Sequence, residues 1–574
     1  MKRLFIYIIA SASFLNTGCS DFLDTDNLTK KDNTNFPMSP EDATQSLYGA
    51  YSTMITFDAN EHPFMVAELL SDDRFGGGGQ NDRNPQALNV FKATSENQLK
   101  GAWSNLYKGI FRCNMLLTTL DQVPSWESEA QKNKIKGEAC FLRAFFYFNM
   151  ARMWGSVPLV IEPIPQNNPK ATPEELFAQI FLDLKTAIEN LSPVQQPASE
   201  LGRATKWAAE ALMARAYLFY DGYYNQNARK EVKLADKTSI NQANVTEWLN
   251  DCINNSGHKL ASDFRNLWPY SIDIPEADYL YAKNNHLSWL RETGDNKESI
   301  FVGKHSILGS WDTPNSDKYS NQVNIYMGLR DQTLVPFGQG WGFGPVVPTL
   351  YNEWADNDLR KKGSICNVND TEENLPDYKW GGDMMWQETG LWQKKYIPIN
   401  VRRKNASGIE EICNYSCVLY GRTPNFSQDN TQDIVYIRFA DVLLMHAELT
   451  KTTDGINKVR SRVNLEPIAA YSDETLQKER RYELAFEGCR YYDLLRWYGK
   501  EAGVIMKNNM TGSKIWNMAQ PTTINQDRGN DYFNNIDQRV RETGGFLQIP
   551  NEEITLSGGV LTQNPGWEGA SVMF

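Results

Sequence analysis

The residues of this chain best suited to bind a ligand are aromatic side chains in polar, turn-forming sequence. Trp311 lies within Gly309-Ser-Trp-Asp-Thr-Pro314, and Tyr319 follows in a stretch rich in Asp, Asn and Ser. Such sequence favours exposed turns over core packing. An exposed aromatic ring can stack on the apolar face of a sugar ring. Trp341, in Gly340-Trp-Gly, either joins this ligand-binding surface or packs inside the fold.

A second polar stretch could bind the hydroxyl groups of the same ligand. It runs from residue 71 to residue 83 and contains Asp73, Arg74, Asn81 and Arg83 around a run of glycines. Carboxylate, amide and guanidinium groups hydrogen-bond to sugar hydroxyls, and glycine lets a backbone approach closely. We expect these four side chains to contact the ligand.

Patterns that would indicate catalysis are weak. The adjacent acids at 72–73 and 410–411 could be paired carboxylates, but sequence neighbours rarely face each other across a scissile bond. Hydrolase, metalloprotease and phosphate-loop motifs are missing from the sequence, and its five histidines have no metal-ligand spacing. Cys413 and Cys417 lack a second pair for zinc, although a local disulfide between them stays open. We expect no catalytic residue, no metal site and no cofactor.

The aromatic candidates lie in a region without regular periodicity, between about residues 259 and 430. Short strand-like runs at 299–303 and 394–399 alternate there with long polar loops, and tryptophans are concentrated from Trp289 to Trp392. Long loops within a compact domain are usually functional. We interpret 259–430 as a loop-rich ligand-binding insertion that carries short strands.

Three related segments predict a helical scaffold for this insertion. Residues 138–148 and 210–220 share the pattern Glu-Ala-x3-Arg-Ala followed by aromatic residues, and 441–447 is a looser copy. Apolar residues recur in them at helical spacing. Each of the three is followed by a further amphipathic stretch, at 173–191, 242–254 and 473–497. The segments 40–54 and 99–120 suggest a fourth helix pair. Stacked helix pairs share a continuous core, as in tetratricopeptide repeats.

The repeated Glu and Arg residues of these segments, which include Arg143 and Arg215, could be catalytic. Because they recur together with the helix itself, we interpret them as ion pairs between helices.

The first 35 residues have the composition of an export signal and a tether. Two basic residues precede an apolar run at 4–15, which is too short to span a bilayer as a helix, and Asn16-Thr-Gly-Cys19 follows. We expect residues 1–18 to be a signal peptide, Cys19 to be lipidated, and 19–35 to be a flexible tether. An ordinary signal peptide that happens to contain a cysteine is the alternative.

The charge of the chain excludes some partners. The formal net charge is −12 and no basic cluster is present. Binding to nucleic acid is therefore not expected, and membrane contact is expected through the lipid anchor only.

Several motifs follow one another in a fixed order over nearly the whole mature chain. They are Cys19-Ser-Asp-Phe-Leu-Asp24, Glu68-Leu-Leu-Ser-Asp-Asp73, Gly101-Ala-Trp103, Glu138-Ala-Cys-Phe-Leu-Arg143, Trp154-Gly-x-Val-Pro158, Gly340-Trp-Gly-x-Gly-Pro345, Asp358-Leu-Arg360, Val435-Tyr-Ile-Arg438-Phe-Ala-Asp441, Glu479-Arg-Arg-Tyr-Glu-Leu-Ala-Phe-Glu487, Phe546-Leu-Gln-Ile-Pro550 and Gln563-Asn-Pro-Gly-Trp567. With these motifs the chain resembles the SusD/RagB-like outer-membrane lipoproteins of Bacteroidetes. Departures from the family pattern are small: Gln548, Ser557-Gly-Gly559 and Trp567 replace the usual residues.

The resemblance implies a mainly α fold of four tetratricopeptide-like helix pairs in a right-handed scaffold over residues 36–574. We divide it into N-terminal helix pairs (36–258), the ligand-binding insertion (259–430), and the last pair with the C-terminal segment (431–574). It also implies an anchor in the outer membrane, facing the exterior, and capture of oligosaccharides or polysaccharides for a SusC-like TonB-dependent transporter. A peptide-binding RagB-like importer subunit, a surface glycoside hydrolase and a helical adaptor without its own ligand are the alternatives.

Overall fold

The computed structural model describes residues 36–164, 166–291, 296–310, 316–518, 533–569 and 572–574. The predicted signal, tether and lipidation site at Cys19 lie outside these residues, and so does Trp311. None of the helices within the described ranges has the length and apolar character needed to cross a bilayer.

The described chain is mainly helical. In chain order its helices are α1 Pro40–Ser52, α2 Pro63–Leu69, α3 Arg83–Asn89, α4 Lys100–Thr119, α5 Glu129–Trp154, α6 Pro173–Asn190, α7 Lys206–Asn225, α8 Gln242–Asn255, α9 Leu280–Asn284, α10 Gln322–Met327, α11 Pro348–Glu353, α12 Leu359–Ser364, α13 Tyr415–Leu419, α14 Phe439–Thr450, α15 Asp454–Arg462, α16 Asp473–Glu483, α17 Arg490–Tyr498, α18 Ala502–Met510, α19 Ile536–Thr543 and α20 Asn551–Leu556.

Strands are short and pair two by two. They are β1 Val232–Lys233, β2 Ser239–Ile240, β3 Ser299–Gly303, β4 Leu329–Arg330, β5 Gln339–Gly340, β6 Ile365–Asn367, β7 Leu391–Gln393, β8 Asn400–Lys404, β9 Glu410–Asn414 and β10 Ile434–Arg438. The pairs β1–β2, β3–β10, β6–β7 and β8–β9 are antiparallel, and β4–β5 is parallel.

The long helices pack side by side in chain order. Helix α4 contacts α5, α5 contacts α6, α6 contacts α7, and α7 contacts α8, against which α14 also packs. Their bounds lie close to the predicted ones because local signals fix them: Thr172 and Glu175 form a capping box just before α6. One buried core extends from Ala43 to Leu561, so the insertion shares the core of the helical scaffold.

Two predicted elements are wrong. The segment 473–497 is not one helix, because α16 ends at Glu483 and a turn with positive φ at Phe486 and Gly488 precedes α17. The Gly488 N–H donates to the Glu68 carboxylate at 2.8 Å, so a distant contact fixes the break. The run 394–399 forms no strand between β7 and β8, and its Lys395 is buried and paired with Glu487 at 2.6 Å. The run at 299–303 is a strand, as predicted.

The repeated arginines form ion pairs between helices, as predicted. Arg143 on α5 binds Asp183 on α6 at 2.6 Å, and Arg215 on α7 binds Asp441 on α14 at 2.6 Å. The repeated glutamates differ from this prediction. Glu138 binds Arg203, in the segment before α7, at 2.6 Å.

Glu210, the second repeated glutamate, is buried and has only a distant cation. Its carboxylate lies 3.5 Å from Lys206 on the same helix, and burial raises its pKa to about 9. An unfolded glutamate titrates near pH 4.3. Between this pH and about pH 9 the folded protein therefore binds a proton that the unfolded protein has released, so the free energy of unfolding falls as pH rises through this range.

We expect Glu210→Gln to be more stable than the wild-type protein by about 1–3 kcal/mol at pH 8, and similar to it near pH 4. Urea unfolding at both pH values measures this. The control is Glu247→Gln, at an exposed position of α8, for which no such difference is expected. A Glu210→Gln stability difference that is the same at both pH values would contradict the assignment.

Candidate ligand-binding site

Two exposed aromatic side chains meet at one surface of the insertion. The rings of Trp341 and Phe426 lie edge to face with centroids 5.8 Å apart, and the two residues are 37% and 44% exposed. Large aromatic side chains usually bury most of their area. A paired, exposed Trp and Phe therefore forms an apolar surface suited to a partner.

Glycines hold Trp341 at this surface. Its N–H donates to the Ile325 carbonyl at 2.7 Å, and the Gly342 N–H donates to the Gly328 carbonyl at 2.8 Å. A Cβ on Gly340 would lie 2.2 Å from the Ile325 carbonyl oxygen, so only glycine allows this close approach. The backbone is thus fixed by α10 and by Gly328, which follows it, while the indole ring is partly exposed.

Arg330 joins three loops around Trp341. Its guanidinium binds Asp82 at 3.1 Å and Asp383 at 2.8 Å, and it donates to the Trp341 carbonyl at 3.0 Å. Sequence reasoning did not identify Arg330, because nothing near it in the chain indicates these distant partners. Its contacts bring the loop at 76–82 and the segment at 381–385 beside the aromatic pair.

Two hydrogen bonds connect the segment that follows Tyr319 to Phe426. Tyr319 is 38% exposed, and the neighbouring Asn321 N–H donates to the Asn430 carbonyl at 2.7 Å. The Asn430 side-chain amide in turn donates to the Phe426 carbonyl at 3.4 Å. We name Tyr319, Trp341 and Phe426 the aromatic face.

Carboxylates next to the aromatic face are more exposed than the cations that pair with them. The Asp82 and Asp383 side chains are 37% and 53% exposed, whereas their partner Arg330 is 12% exposed. Lys318, beside Tyr319, is 18% exposed and binds the 64% exposed Asp58 at 2.7 Å. The surface therefore presents acceptors for hydroxyl groups rather than free positive charge.

Asp73 and Arg74 were predicted to face a ligand, but the structure buries both side chains in ion pairs within the protein. Asp73 is 1% exposed and binds Arg481 at 2.6 Å; burial raises its pKa and Arg481 opposes this. Arg74 is fully buried and binds Glu68 at 2.5 Å. Both side chains are buried in ion pairs inside the protein, which accounts for their charged character in the sequence.

The remaining candidates of the 71–83 stretch are exposed. Asn81 precedes Asp82, which connects it to Arg330 and the aromatic face. Arg83 donates to the Phe574 carbonyl at 2.5 Å and its guanidinium stacks on that ring at 4.9 Å, so it fastens the C-terminus. The glycine at 77 approaches protein backbone and not open space, since a Cβ there would lie 2.4 Å from the Gly342 carbonyl oxygen.

Sequence reasoning missed Phe426 and Tyr420, which is 50% exposed. Both lie in Tyr420-Gly-Arg-Thr-Pro-Asn-Phe426, a polar stretch with glycine and proline. That is the same signal that pointed to Trp311, and it would have identified them.

The described part of the chain contains no cluster of three His, Cys, Asp or Glu side chains able to hold a metal ion. Cys413 and Cys417 are buried free thiols, and the Cys417 sulfur lies 3.3 Å from the Asp429 carboxylate.

Comparison with known proteins identifies the family. Residues 347–567 match the model described as "SusD family", and residues 21–218 match the model described as "Starch-binding associating with outer membrane". The chain belongs to the SusD family. Similar proteins of known structure are described as laminarin-binding or surface glycan-binding proteins.

Relatives and solved structures are similar over most of their length. A SusD-like protein of Bacteroides ovatus is 26% identical, covering 86% of this chain and 82% of the relative. The structure of a laminarin-binding SusD-like protein is 25% identical with a TM-score of 0.68, covering 92% of this chain and 99% of the other. Surface glycan-binding protein A from Bacteroides fluxus, 22% identical with a TM-score of 0.68, covers 92% and 100% and shares the fold.

Proposed function

We propose that this SusD family member captures oligosaccharides or polysaccharides at the cell surface through the aromatic face, without chemically changing them. The observation that carries the proposal is the exposed Trp341–Phe426 pair beside carboxylates that accept hydrogen bonds. Aromatic rings stack on the C–H faces of sugars, and carboxylates bind their hydroxyl groups.

Trp311 and Asn81 complete the proposed site, together with Tyr319. Trp311, which lies outside the described residues, enters the proposal through its turn-forming sequence alone. Asn81 offers an exposed side-chain amide beside Asp82. Arg83 lies further along the same stretch, and its guanidinium contacts Phe574.

The captured glycan passes, in this proposal, to a SusC-like TonB-dependent transporter. Residues 1–18 direct export, Cys19 carries the lipid, and residues 19–35 tether the fold to the outer membrane on its exterior side. Four tetratricopeptide-like helix pairs then form a right-handed scaffold for the insertion at 259–430, between the segments 36–258 and 431–574.

The anchor has a direct test. We expect Cys19→Ala to move the protein from the membrane fraction to the soluble fraction, because one lipidated cysteine is the only proposed attachment. Immunoblots of fractionated cells measure this, in a strain without the transporter. Ser20→Ala is the matched control and should stay in the membrane fraction. A Cys19→Ala protein that remains membrane-bound would contradict lipid anchoring at this residue.

The proposed ligand class is tested on the soluble protein of residues 36–574, which contain the whole core. Laminarin is the first ligand because a 25% identical structure is that of a laminarin-binding protein. An array of other glycans and a peptide library follow. Binding to glycans with no shorter products after incubation supports the proposal, whereas binding to peptides alone would favour the RagB-like alternative.

A further inference from the structure

Two adjoining cavities lie where α5 and α7 meet α17, away from the aromatic face. Residues of α14 and α16 also line the first cavity, and residues of α2, α4 and β10 line the second. Their volumes are about 20 Å³ and 30 Å³, and both are bounded by Arg152, Arg215 and Tyr492. A cavity needs about 10–15 Å³ to hold a single water. Each cavity therefore has room for one small ion or for one or two waters.

Two hydrogen-bond donors at these cavities lack an acceptor. The Arg152 Nε and the Tyr492 hydroxyl are buried and have no hydrogen-bond partner, and Tyr492 is 4% exposed. Arg152 donates from Nη2 to Asn149 at 2.7 Å, and its guanidinium stacks on Phe148 at 4.5 Å and Tyr492 at 4.2 Å. Unpaired buried donors are costly, and both of these require the same kind of ligand, an acceptor.

The positive charge of Arg152 is also uncompensated. Among the described residues no carboxylate lies within 4 Å of its guanidinium, whereas the other three arginines of the cavity alternate with three acids. Those pairs are Arg215–Asp441 (2.6 Å), Arg480–Asp441 (2.7 Å), Arg480–Asp493 (2.9 Å), Arg496–Asp493 (2.8 Å) and Arg496–Glu448. Three cations are balanced by three anions, which leaves Arg152 in excess.

The remaining charged groups of the second cavity do not balance Arg152. Glu487 already pairs with Lys395 and Arg438, both at 2.6 Å. Burial lowers the pKa of His62 to about 3, so it is neutral at physiological pH. Burial also lowers the pKa of Arg152, to about 10, which still leaves it protonated near neutral pH.

We propose that one small monovalent anion, such as chloride, binds where the two cavities adjoin, between the Arg152 guanidinium and the Tyr492 hydroxyl. An anion supplies both the acceptor and the negative charge, whereas a water supplies the acceptor alone. Because residues of α5, α7 and α17 line both cavities, the bound anion stabilises the packing of these three helices. This site is independent of glycan capture, since none of its residues belongs to the aromatic face.

Unfolding in two sodium salts at equal ionic strength tests the site. The protein of residues 36–574 is unfolded in sodium chloride and in sodium gluconate. When the chloride concentration is ten times its Kd, we expect the equilibrium constant for unfolding to be about tenfold lower in chloride than in gluconate. Arg152→Met should abolish this chloride effect. Arg402→Met, which removes an arginine with a 47% exposed side chain, should retain it. Equal stability of the wild-type protein in both salts, or an unchanged effect in Arg152→Met, would overturn the proposal.

Crystals grown in sodium bromide test the site without any variant, in case Arg152→Met fails to fold. We expect a bromide anomalous peak within about 3.5 Å of the Arg152 Nε and the Tyr492 hydroxyl. Bromide at surface positions alone, an adventitious ion only, would overturn the proposal, and so would a cavity filled by water.

Discussion

Arg438→Met is expected to destabilise the protein by about 3–5 kcal/mol, because it breaks a buried network of charges. The Arg438 side chain is 3% exposed and binds Glu298, Glu483 and Glu487 at 2.8, 2.5 and 2.6 Å. Methionine keeps much of the volume but leaves these buried carboxylates short of a cation. Arg462 binds two of the same acids and does not replace the lost charge.

The position of Arg438 explains why the effect should extend through the fold. It ends β10, which pairs with β3 of the insertion and leads directly into α14 of the scaffold. Urea denaturation measures the change in the free energy of unfolding. Arg402→Met, at a half-exposed position with ion-pair distances of 3.8 and 4.0 Å, is the control and should leave stability unchanged. If the free energy of unfolding changed little in both variants, the buried network would not stabilise the fold as proposed.

Trp341→Ala is expected to weaken glycan binding by at least about 2 kcal/mol, which is some thirtyfold in affinity. The indole is the larger ring of the aromatic pair, and its removal leaves only the smaller ring of Phe426. Since Trp341 is 37% exposed and hydrogen bonds to α10 and Gly328 fix its backbone, the melting temperature should change little.

Calorimetric titration of the best glycan into the wild-type protein and the variant measures this loss. Phe111→Ala is the matched control, because Phe111 is 51% exposed but lies on α4, outside the aromatic face. It should bind the glycan like the wild-type protein. Wild-type affinity in Trp341→Ala would place the site elsewhere, and equal losses in both variants would indicate a general defect.

Local sequence signals predicted much of the helical scaffold. The capping box before α6 and the proline at its start are encoded within four residues, so the start of this helix could be located from sequence. The break between α16 and α17 could not, because it depends on a hydrogen bond from Gly488 to Glu68, 420 residues away. Long-range contacts of this kind override local periodicity.

The sequence also predicted only part of the candidate site, because long-range contacts decide which polar residues are buried. Trp341 and Tyr319 lie in turn-forming sequence, and the structure places both at the surface. Asp73 looked equally polar, but its partner Arg481 is 408 residues away, and the pair is buried. A charged residue in a sequence does not reveal whether its partner is a ligand or another part of the chain.

The crystal structure of residues 36–574 with the best-binding glycan tests the central claim most directly. We expect a sugar ring to lie against the ring of Trp341 or Phe426, with a hydroxyl about 2.5–3.0 Å from the carboxylate of Asp82 or Asp383. A glycan bound at another surface, with both aromatic rings left uncovered, would contradict the assignment of the aromatic face.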